Sequence, residues 1–150
     1  MTAPIPTSSR QAKAYLHERL DALLTDYDAN IAAIYGPPAE DNLANTIMIG
    51  DINYESVDTA SIGRRININE VYNIECAVVI AQQDGNNYDV EQTAFDLYAV
   101  IEAEVRDNPT LGNTVDFVTC KLQSVQSAPG VNGGAVCALL FNVECRKNLR

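Results

Sequence analysis

Between Ile66 and Ala81 the residues Ile66, Ile68, Tyr72, Ile74, Cys76, Val78 and Ile80 share one parity. A period of two is that of a β-strand, whose successive side chains point to opposite faces. The other parity carries Asn67, Asn69, Asn73 and Glu75 and then turns apolar at Ala77 and Val79. One end of this strand is therefore wet on one face, and the other end is buried on both. Whatever else the chain does, it must build a sheet around this segment and a layer to cover it.

Two segments have the 3.6-residue period that supplies such a layer. From Arg10 to Ile34, residues Tyr15, Leu16, Leu20, Leu23, Leu24, Tyr27, Ile31 and Ile34 recur at three- and four-residue steps. Ser8 with Gln11 fits a capping box, and Gly36-Pro37-Pro38 is the expected stop. The second helix is expected from Asp89, with Gln92 as its capping partner, to Arg106. Its buried arc holds Val90, Ala94, Leu97, Tyr98, Ile101 and Val105, and Pro109 ends it. Thr46 to Ile49 reads as a short strand, Thr114 to Gln126 as another, and Ala135 to Arg146 as a last one with Cys137, Leu139, Phe141, Val143 and Cys145 on one face. Pro129-Gly130 and Gly133-Gly134 mark a hairpin between the last two.

The order is helix, strand, strand, helix, strand, strand. This predicts an α+β domain with a mainly antiparallel or mixed sheet and helices on one of its faces. The 150 residues form a single domain, 1–150, with an extended arm over 1–9 and a long mobile loop or hairpin over 51–65, where Asp, Ser, Thr and Gly leave few apolar residues. Apolar residues make up 47% of the chain, with no Trp and three Phe, so the core is aliphatic and large enough to need neither a disulfide nor a metal. The first residues lack the apolar run of a classical export signal, and no stretch approaches the ~18 apolar residues that span a bilayer, so a soluble, non-membrane protein is expected.

Reactive side chains are sparse and unassembled. Cys76, Cys120, Cys137 and Cys145 lie in apolar stretches without the short spacing of a zinc site, which fits reduced thiols packed as small hydrophobes. His17, the single histidine, reads as a solvated helix residue, since no orienting partner marks it as a base. Asp51 to Glu55 opens like a calcium loop, but Ser56 stands where the turn needs Gly and Ile62 where a bidentate Glu belongs. Gly130, Gly133 and Gly134 lack the Lys-Ser/Thr of a phosphate loop. Glu91, Asp96 and Glu102 border an ordinary solvated helix face. No catalytic residue, cofactor or metal is expected.

Charge is more informative. Twenty acidic against ten basic side chains give a formal net charge of −10, which argues against a protein that holds nucleic acid by its phosphates. Residues 1–50 carry three basic and six acidic groups, residues 51–110 three and twelve, and residues 111–150 four and two. Separation of acidic from basic surface suits head-to-tail association of identical subunits.

Arg65, the run Val71-Tyr72-Asn73-Ile74-Glu75-Cys76-Ala77-Val78-Val79-Ile80, the turn at Gly85, the acidic helix closing in Asp107-Asn108-Pro109-Thr110-Leu111-Gly112, and the strand pair through Gly133-Gly134 to Val143 together resemble the tail terminator proteins of tailed bacteriophages. The likeness covers 65–146 and extends to the first helix. It rests on element order and turn chemistry rather than on a catalytic signature. It implies a non-enzymatic virion protein, assembled in the host cytoplasm, that forms a sixfold ring on the tail tube. Such a ring stops tube growth, offers a docking surface to the head connector, and lets DNA through without binding it. A head-closure or tail-completion protein of the neck is the alternative of the same kind, and a cellular ligand-binding α+β domain is the alternative of another.

Within that reading, Arg64 and Arg65, the only adjacent basic pair in the acidic middle segment, are candidates for a contact with a neighbouring subunit or the tube. The loop from about Asn53 to Arg65 is expected to be mobile in the isolated subunit and ordered in the assembly. The acidic surplus, including the second helix and the turn from Gln82 to Tyr88, is expected to face the channel.

Overall fold

The alternating run is the third strand of a five-stranded mixed sheet in an α+β domain. The computed structural model describes residues 7–28, 30–36, 45–62, 65–130 and 133–149, the side chains of 58–62 and 65–67 excepted. Its elements are α1 (Ser9–Tyr27), β1 (Ala32–Tyr35), β2 (Thr46–Ile62), β3 (Arg65–Gln82), α2 (Asn87–Asp107), β4 (Phe117–Pro129) and β5 (Ala135–Leu149). The sheet order is β1-β2-β3-β5-β4, with β1 parallel to β2 and every other neighbour antiparallel.

The period-two pattern sets the register. Cys76 faces Phe141, Ile74 faces Val143 and Val78 faces Leu139, so the apolar parities of β3 and β5 fall on one face. Both helices cover that face. α1 contributes Ala12, Leu16, Leu20 and Leu24, and α2 contributes Val90, Ala94, Leu97, Ile101 and Val105, all fully or almost fully buried in one core. The Tyr98 ring stands edge-on to Phe141 at 5.2 Å. The helices are tied to each other by Arg19 and Glu104, 2.6 Å apart, and by Asn108 donating to the Tyr15 hydroxyl at 2.6 Å.

Four expectations need correction. α1 ends at Tyr27 and not at Ile34, and Ala32–Tyr35 is strand. The last turn has no basic residue, while Asp26 and Asp28 crowd its negative end, so continuing the helix gains nothing from its dipole. The Ser8–Gln11 capping box is absent, as Ser8 makes no side-chain cap; its hydroxyl pairs with Tyr72 at 2.8 Å. Ser8 is in the α region, so the end of the 1–9 arm is not extended; residues 1–6 lie outside the described residues. Finally, α2 begins two residues early: Asn86 is its cap, and the reciprocal box is with Asp89 rather than between Asp89 and Gln92.

The segment 51–65 takes the hairpin form of the expectation and not the loop. β2 pairs with β3 from Thr46 opposite Val79 to Ile62 opposite Arg65. Backbone pairing needs no apolar side chain, so Asp, Ser and Thr do not prevent it. β4 and β5 each run three residues beyond their expected ends, to Pro129 and Leu149. At the turn between them, Gly134 has φ +73°, and a Cβ there would collide with the Gln82 and Gln83 carbonyl oxygens.

Candidate functional site

The covered face of the sheet is closed packing; among the described residues its other face and its edges are open. Among the described residues no helix lies on the second face. Near β1 this face is apolar, with Met48, Ala77, Val79, Val136, Ala138 and Leu140, and Leu140 is 42% exposed. A cleft of about 340 Å³ opens there between Gly36, Met48, Gly50, Ala77 and Leu140, with Asp51 and Glu75 also among its walls.

Toward the hairpin the same face becomes polar, and its side chains pair across strands. Asn53 donates to Glu75, and Asn73 donates to Glu55 at 2.7 Å. Glu144 on β5 is buried between Lys121 of β4, at 2.6 Å, and Arg146, at 3.1 Å. The Lys121 hydrogen bond is the main reason that its carboxyl lies below the usual carboxylate range.

Sheet edges are set by where pairing stops. β1 covers β2 only from Thr46 to Ile49, so among the described residues β2 is an edge from Gly50 to Ile62. β4 is the opposite edge. Both are bulged, β2 between Ile49 and Ile52 and again between Tyr54 and Ser56, and β4 between Leu122 and Ser124. At the first bulge a Cβ on Gly50 would sit 3.1 Å from the Glu75 carbonyl oxygen, which favours glycine there. The free edge of β2 bears Asp51, Glu55 and Asp58 and no base, whereas β4 bears Lys121 and no acid. Phe117 and Leu122 of β4 are 53% and 44% exposed.

Of the sequence-picked pair, Arg65 begins β3 opposite Ile62, and its side chain is outside the described residues, as is Arg64 altogether. Arg65 thus stands at the start of the strand that pairs with the acidic edge. His17 is not simply solvated. It is half-buried, its Nε2 lies 3.1 Å from the Ala33 carbonyl oxygen, and its ring meets Tyr35 edge-on, which fastens α1 to β1.

A polar cluster that pattern reading missed joins α1 to the hairpin. Glu70, buried in β3, accepts from the Thr7 hydroxyl and from the Ser8 backbone N–H at 3.3 Å. The Tyr54 hydroxyl pairs with Ser9 at 2.6 Å. Glu70 thereby places a carboxylate at the positive end of α1, from a residue 62 positions away for which no local spacing exists.

Thiol chemistry is suppressed. All four cysteines are free, and burial pushes Cys120 and Cys145 up to about 12, so both are protonated thiols at neutral pH. Among the described residues no three His, Cys, Asp or Glu side chains gather as a metal site. What the open surface can do is pair backbone and match charge. Comparison with known protein families and with curated proteins finds nothing that matches this chain.

Proposed function

We propose that this chain is the subunit of a closed homo-oligomeric ring, the tail terminator of a tailed bacteriophage, with no enzymatic activity. The observation that carries this reading is the pair of unlike edges on one sheet. Following the pairings from β2 through β3 and β5, β4 runs antiparallel to β2. When copies stand side by side in one orientation, β4 of one copy therefore meets β2 of the next in the antiparallel sense that favours ladder formation. The two free edges are also equal in length, thirteen residues each from Gly50 to Ile62 and from Phe117 to Pro129.

Charge selects between the possible pairings. Two β2 edges would oppose acid to acid, a destabilising arrangement. The acidic edge against the β4 edge, which has no acid and carries Lys121 beside its partner Glu144, escapes that repulsion, and a contact between two different patches must either close into a ring or run on as a fibre. Six copies is the count implied by the resemblance to tail terminators. In that role the ring ends tube growth, meets the head connector and passes DNA through an acidic channel at the neck of the virion. Electron microscopy of the protein and of isolated tails tests this reading: sixfold rings at the tube end support it. A particle of any other symmetry, or a small ligand whose saturable binding raises the melting temperature of a monomer, contradicts it.

A further inference from the structure

A second ordered surface lies away from the sheet, on α2. The buried arc of this helix, Val90, Ala94, Leu97, Ile101 and Val105, fixes its inner side. At ~100° per residue, the outer side is then Tyr88, Gln92, Phe95, Ala99 and Arg106. Tyr88 is 74% exposed and Phe95 42%, and Ala99 is exposed as well. A helix that buries one face ordinarily shows charged and polar side chains on the other. Here two aromatic rings and an alanine fall within a run of four- and three-residue steps, 88, 92, 95 and 99, the spacing of a seam that packs against another helix.

The borders of this seam are acidic. Glu102 at its border is taken by Arg106, while Glu104 lies toward α1 and is held by Arg19. Asp96 on the helix and Asp84 in the turn before it are exposed, and among the described residues neither meets a cation. The geometry points to the outer face of α2 as a docking seam for a cationic amphipathic helix of another protein, its apolar side chains against Tyr88, Phe95 and Ala99 and its Lys or Arg beside Asp84 and Asp96. A second copy of the seam would bring like charges together. Duplex DNA offers the rings no apolar surface, and its phosphates would be repelled by the two aspartates. The seam shares no residue with the strand edges, so it stands whether or not the ring does.

The test titrates the full chain at physiological salt with a synthetic Leu–Lys amphipathic helix of about five turns, and with a peptide of the same composition scrambled so that its apolar residues do not share a face. Saturable binding of the amphipathic peptide is expected. It should weaken at least about tenfold in the Tyr88→Ser/Phe95→Ser double variant, whose melting temperature should match the wild type because both rings are exposed. A control, Asp26→Asn/Asp28→Asn, removes two acidic charges at the C-terminal end of α1, none of them in the seam, and should change affinity less than about twofold. Absence of binding overturns the seam. So does equal binding of the scrambled peptide or of the serine variant, which would trace the affinity to bulk acidity. Self-association of the wild type that the serine variant abolishes would make a second copy the occupant and overturn the assignment to another protein.

Discussion

The two faces of one sheet are built from alternate residues of the same strands, yet they are held by different forces. On the covered face, Tyr72, Ile74, Cys76, Val78 and Ile80 of β3 meet Cys137 to Cys145 of β5 under two helices, and burial of apolar area does the work. On the open face, the same strands offer Asn73, Glu75, Asn142 and Glu144 toward the hairpin and an uncovered apolar patch toward β1. The first face holds most of the buried apolar core. The second has no helix over it among the described residues, and on the proposed reading its charge and its unpaired edges serve assembly.

The sharpest way to break this contrast is to truncate neighbours on opposite faces. Phe141→Ala empties a fully buried site and is expected to cost about 3–5 kcal/mol in urea unfolding. Leu140→Ala, one residue away but 42% exposed on the open face, should cost under about 1 kcal/mol. Equal losses would mean that the open face is covered in the isolated subunit.

The polar cluster at the start of α1 is expected to be next in size. Glu70→Ala leaves the Ser8 N–H without its acceptor in a buried place, a cost of about 1–3 kcal/mol by the same measurement, while the exposed Thr7 hydroxyl keeps Tyr54 as a partner. Tyr72→Phe, which removes the hydroxyl paired with Ser8, should cost about 1 kcal/mol.

Glu144 gives a smaller, pH-dependent effect. Its carboxyl titrates below the ordinary value of 4.5 when folded, so the folded state binds its proton less readily than the unfolded state does. Its contribution is complete above that ordinary value and is lost as the pH falls through 4.5 to the lowered folded value. Glu144→Gln should destabilise the protein by about 1 kcal/mol at neutral pH, since Lys121 and Arg146 are half exposed and can turn to water. Stability curves of the two proteins should converge in acid; a constant gap down to pH 3 would mean that the carboxylate is not held by its cations.

What the sequence shows of this architecture follows the same division. The parities of β3 and β5 and the arc of α2 are legible because burial on one face writes an unbroken period into the residues. The outer part of β2 is not, because the bulges at Gly50-Asp51 and Glu55 shift its parity twice, so that Ile49, Ile52, Tyr54 and Val57 share one face although their positions in the sequence do not keep one parity. β4 is blurred in the same way at Gln123, between Cys120-Lys121-Leu122 and Val125. Ile31 and Ile34 extend the helical period of α1 by coincidence, although one precedes β1 and the other lies within it. The opposed edges depend on pairing partners that no local pattern reveals.

Assembly through unlike edges is tested most directly by counting copies of this chain at the end of isolated tails, for the wild type and for the edge variant Asp51→Lys/Glu55→Lys. The account predicts six copies per tail end for the wild type. It predicts none for the variant, whose reversed charges meet Lys121 with repulsion. A wild-type count other than six, or six copies of the charge-reversed chain, would contradict it.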